Sequence, residues 1–194
     1  MSVESLTEFL PALALAVALA ASAGLRAWLP LLLAAGLARL GVLDLGPSFQ
    51  FLSSNKALLV FGVATFVEIV GDKIPVVDHA LDLIGTPLRP AAGALLAASV
   101  LGTVSDPLTA IVLGTAVGAP SALVPHAAKS VLRAASTAAT GGLANPLLSL
   151  LEDVVSILTF VAAVLVPLLV VCALGLTLFL ASRWLRRHRT VAAA

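Results

Sequence analysis

Phe66-Val67-Glu68-Ile69-Val70-Gly71-Asp72-Lys73-Ile74-Pro75-Val76-Val77-Asp78-His79-Ala80-Leu81-Asp82 carries six ionisable side chains in the fifteen positions from Glu68 to Asp82, between runs that are otherwise apolar. A charge at a bilayer centre costs about 3 kcal/mol on insertion scales, so it persists mainly where it faces protein, water or a ligand. The rest of the chain makes a bilayer the natural setting. Of 194 residues, 60% are hydrophobic and 11% charged, where a soluble domain has about a quarter charged. The stretch therefore marks the polar interior of an all-α polytopic membrane protein.

Read as one helix at 100° per residue, Glu68, Asp72, Pro75, His79 and Asp82 fall within about 40° of one line. Lys73 points nearly opposite and Asp78 lies at the stripe's edge. Pro75 has no N–H, and its ring clashes with the carbonyl four residues back. A kink with a free Gly71 carbonyl is expected there, beside Asp72. Carboxylates around a spare carbonyl suit a cation or a proton, and His79 changes charge near physiological pH.

Outward from this stretch, apolar runs cover 6–23, 57–84, 88–104, 108–124 and 146–185. Shorter pieces containing Pro follow Gly24 and Pro125. The last run is about 60 Å long if helical, twice the hydrocarbon thickness, and Pro167 near its middle predicts two spans joined by a tight turn. About six transmembrane helices result, with two short Pro-containing segments that re-enter or lie at the interface, in a single domain over 1–194. The halves 6–104 and 105–185 can be aligned, Arg26 to Pro30 with Ser121 to Pro125 and Glu68 with Glu152. That alignment predicts an inverted repeat of the kind found in transporters. Four of the eleven Lys and Arg residues are Arg183, Arg186, Arg187 and Arg189, which predicts a cytoplasmic C-terminus in the cell membrane. The lone Cys172 excludes an intrachain disulfide, and the near-neutral net charge gives no sign of nucleic acid.

The sets Gly24-Leu25-Arg26-Ala27-Trp28-Leu29-Pro30, Glu68 to Pro75 with Asp78-His79, and Lys129-Ser130-Val131-Leu132-Arg133 with Asn145-Pro146 and Glu152-Asp153 resemble a bacterial membrane family known as domain of unknown function 4126. The resemblance covers about residues 10 to 180. It implies an integral membrane protein and supplies no activity.

His126, Lys129, Ser130, Arg133, Thr137 and Thr140 share one helical face, with Val131, Ala135 and Ala138 on the other. This piece either lies on anionic headgroups or folds inward to meet the acidic stripe, with Glu152 near its basic face. The candidate ion- or substrate-binding residues are Glu68, Asp72, Lys73, Asp78, His79, His126, Lys129, Arg133 and Glu152. They point to a small transporter or channel-like permease, proton- or cation-linked, acting on a small solute or ion. A non-transporting scaffold or lipid-binding protein with a fixed salt-bridge network is the alternative, and an intramembrane lipid-processing enzyme a further one. No cofactor or metal is expected, since ligand spacing is lacking. Gly114 and Gly118 form a small-residue face suited to a second copy of the chain.

Overall fold

The computed structural model describes residues 3–166, and among these every regular element is helical. Helix α1 (Val3–Leu25) leads into α2 (Trp28–Arg39), a 3-10 turn (Pro47–Ser53), α3 (Asn55–Gly71) and α4 (Pro75–Leu101). Then α5 (Pro107–Leu113), a π turn (Gly114–Gly118) and α6 (Ala119–Thr140) run on without interruption. The last described element is α7 (Asn145–Val166). Four helical stretches are long and apolar enough to cross a membrane, or up to five if the 3-10 turn and α3, bent by 58°, form one span. Pro167, Cys172 and the arginine tail lie outside the described residues.

Each break has a local cause. Pro30 would drive its ring into the Arg26 carbonyl if α1 ran straight on, and the chain opens at Arg26 and Ala27 instead. Pro75 does the same to the Gly71 carbonyl, and here the sequence expectation is corrected. The chain does not kink within one helix but ends α3 at Gly71 and starts α4 with Pro75 in its first turn. The Gly71 carbonyl is not free, because the Ile74 amide donates to it at 3.0 Å. Gly85, Thr86 and Pro87, which separate the apolar runs 57–84 and 88–104 in the sequence, lie inside α4.

Pro125 also fails to separate two pieces. It lies inside α6, well past the π turn that ends just ahead of Pro120; π turns of this kind absorb one extra residue within a helix. At the far end Gly141 adopts φ 63°, and its amide caps Thr137, the left-handed finish that glycine makes without strain.

Three helices meet at the centre on small residues. A side chain at Gly24 would strike the Ala122 carbonyl, one at Gly118 the Gly93 carbonyl, and one at Gly114 the Ala98 backbone. Such faces let membrane helices approach closely and gain dispersion contacts. The face at Gly114 and Gly118, expected to receive a second copy, is thus filled by α4 of the same chain. Leu19, Leu96, Leu101 and Phe160 complete the core. Many of the remaining large apolar side chains, among them Leu59, Phe66, Leu108 and Val131, face outward, as a bilayer permits.

Candidate functional site

The breaks in the helices bring charged side chains to one place. Arg26 sits at the α1–α2 junction, and Asp72 and Lys73 lie between α3 and α4. Asp82 and Arg89 come from α4, His126, Lys129 and Arg133 from α6, and Glu152 and Asp153 from α7. Five acids, counting Glu68, meet five Lys and Arg residues. Charge balance is what allows such a cluster to be buried, because an unpaired ion there would be intolerable.

Asp72, fully buried, is its hub. One of its oxygens pairs with Arg26 and lies 3.3 Å from Arg133 and 3.6 Å from the Lys129 ammonium. Arg133 holds Glu152 with two parallel bonds of 2.9 Å, the fork geometry in which guanidinium and carboxylate match best. Lys129 lies 3.0 Å from the same Glu152. Arg26 also reaches Asp153 at 2.7 Å and donates to the Ser149 carbonyl and hydroxyl at 3.0 and 2.8 Å. At the edge, Lys73 stands 3.6 Å from Asp153.

Asp82 forms the other edge, with 35% of its side chain exposed, and faces Arg89 at 3.1 Å, Arg133 at 3.4 Å and Lys129 at 3.7 Å. Arg89 in turn contacts Nδ1 of His126 at 2.9 Å. A guanidinium only donates, so the His126 ring accepts at Nδ1.

Glu68 stands apart from these pairs. Its two oxygens accept the backbone N–H groups of Ala27 and Trp28 at 3.0 and 3.2 Å. These amides open α2 and lack helical acceptors, so a carboxylate from α3 caps α2 across the break. The expected ion pair between Glu68 and Lys129 or Arg133 is not formed, whereas Asp72 meets both.

The basic helix folds inward. His126, Lys129 and Arg133 are buried while Val131 and Leu132 are exposed, which removes the surface-lying alternative. The side chains of Asp78 and His79 lie outside the described residues. Arg26 and Arg89 belong to the cluster and are absent from the sequence-derived set. The available signal was a lone arginine among apolar residues, Arg26 four residues before Pro30 and Arg89 just before Pro90.

Among the described residues, cavities reach the cluster from several sides. One of about 470 Å³ is lined by Asp82, Ser130, Arg133, Thr137 and Asn145. A second, about 620 Å³, is an apolar groove between α3 and α4 that has Glu68 in its lining. The third, about 360 Å³, lies between α1, α6 and α7 with Lys129 and Glu152 at its inner end.

The family described as Domain of unknown function (DUF4126) matches residues 13–187. This chain belongs to that family. No curated protein and no solved structure matches it. Family membership therefore supplies no activity, and any function has to be argued from the cluster itself.

Proposed function

We propose that the protein is a small permease in which a solute or cation entering the 470 Å³ cavity is linked to the buried charge cluster. The observation that supports this is the double position of Asp82. Its carboxylate lines the polar cavity and is at the same time held by Arg89, Arg133 and Lys129. A proton or cation arriving at Asp82 weakens its hold on three bases at once, and they redistribute towards Asp72 and Glu152. Two alternative sets of ion pairs are what a transporter needs to change conformation with its cargo.

The element order is consistent with an inverted repeat on six spans. The broken α1–α2 pair corresponds to the α5–α6 helix with its π turn, and α3 with Glu68 to α7 with Glu152. The sequence after 166, outside the described residues, stays largely apolar to 185, and the arginines at 183–189 favour a cytoplasmic C-terminus under the positive-inside rule.

Proteoliposomes with a trapped pH-sensitive dye test the function. Inward gradients of small ammonium, carboxylate and zwitterionic solutes are applied in turn. The wild-type chain is expected to show solute-dependent proton movement that falls by about tenfold or more in Asp82→Asn. Folded wild-type protein that moves nothing on this panel would favour the fixed salt-bridge scaffold.

A further inference from the structure

Glu68 is the acid of the cluster whose carboxylate makes no salt bridge among the described residues; Ala27 and Trp28 amides are its hydrogen-bond partners. Arg26 and Arg89 are near enough to act on it electrostatically, but both are engaged elsewhere, by Asp72 and Asp153 and by Asp82 and His126. The Glu68 carboxyl therefore has helix-terminal amides as its partners and no contacting cation among the described residues.

Glu68 also lines the 620 Å³ groove, whose other lining residues, Trp28, Val63, Val67 and Ile84 among them, carry no ionisable group. Val63, Val67 and Ile84 are also half exposed on the outer surface, so the groove opens sideways to the bilayer rather than to water. Its volume lies within the range of small-molecule sites, which are apolar with a few placed polar groups. An apolar chain gains dispersion contacts and hydrophobic burial along the groove, and its head then meets a carboxylate that has room for further hydrogen bonds. A carboxylic acid head would bring a second negative charge against Glu68, and an alcohol would leave that charge uncompensated.

We propose that this groove binds the chain of a membrane amphiphile whose head is a protonated amine, with Glu68 as its counter-ion. Binding is read without any solute movement, so this site and the permease reading can fail separately.

Trp28 lines the groove and supplies the probe. The protein has two tryptophans, and Trp184→Phe leaves Trp28 as the sole emitter. In nanodiscs of unbrominated phosphatidylcholine, dibromostearyl amine, dibromostearic acid and dibromostearyl alcohol are titrated in turn. The amine is expected to quench Trp28 at about fivefold lower mole fraction than the alcohol, with the acid no better than the alcohol. Glu68→Gln should bring the amine and the alcohol level. Val63→Phe, which fills the groove and leaves Glu68 in place, should abolish the amine's advantage and covers the case in which Glu68→Gln fails to fold. Equal quenching by amine and alcohol in the parent, or an amine advantage that survives the substitutions, overturns the proposal.

Discussion

Arg26 shows what a single buried charge commits the protein to. Its guanidinium is wholly inaccessible and reaches Asp72 between α3 and α4 and both Ser149 and Asp153 on α7. Removing one partner of a buried pair leaves the others uncompensated, at a cost of about 3–5 kcal/mol. Arg26→Met is therefore expected to lower thermal stability in detergent sharply. Lys56→Met, at an exposed position, should stay within about 0.5 kcal/mol of the parent. Differential scanning fluorimetry of the two checks this, and equal melting temperatures would be inconsistent with the network. At this scale Asp72, Lys129, Arg133 and Glu152 were legible, because several charges within a few turns of apolar sequence need one another. Arg26 and Arg89 were not. Arg26 is a single charge four residues before Pro30 and Arg89 one just before Pro90, a pattern that also describes the end of a span. The role of Glu68 as a cap was hidden as well, because its partners are backbone amides, which have no signature in sequence.

Among the elements, the central helices depend on the absence of side chains at a few positions. Gly118→Ala would push a methyl into the Gly93 carbonyl and Ala97, while Gly62, in α3, has nothing within 4 Å of the same addition. Alanine exceeds glycine in helix propensity by about 0.8–1 kcal/mol. Gly62→Ala is thus expected to hold or raise the melting temperature and Gly118→Ala to lower it, which a paired melt would show. The start of α5 depends on Asp106, whose side chain accepts the amides of Leu108 and Thr109, each at 3.1 Å. Bonds from the Thr109 side chain and backbone hold this carboxyl below the usual aspartate range. A depressed folded-state value means that the cap contributes above the ordinary aspartate pKa and is lost as pH falls through the lowered one. Hydrogen exchange at Leu108 and Thr109, corrected for intrinsic rates, should accelerate across that acidic window and lose the pH dependence in Asp106→Ala. Helix existence was well legible from apolar runs and prolines, but the breaks were misplaced. Pro75 and Pro125 look alike in sequence. One starts a helix and the other lies inside one, a difference that the residues around the two prolines do not announce.

Among the described residues, the clustered charges other than Asp82, Lys73 and Asp153 are buried away from bulk ions. Screening acts on solvent-exposed pairs and much less on buried ones, so the melting temperature should change little between low and high sodium chloride. A fall of many degrees would place the ion pairs in water. Because α6 turns its basic face inward, a cysteine at Lys129 should resist membrane-impermeant thiol reagents, whereas one at Asn55, exposed at the start of α3, should react. The reach of Arg26 also has a consequence for how the chain is made. Asp72 lies 46 residues downstream of it, and Ser149, on the helix that also carries Glu152 and Asp153, lies 123 residues downstream. At about 5–20 residues per second, a ribosome needs on the order of 6–25 s to deliver that last helix. Through that interval the nascent protein holds an arginine whose final neighbours do not yet exist, so its first helix must wait at the translocon or near the headgroups until the seventh arrives.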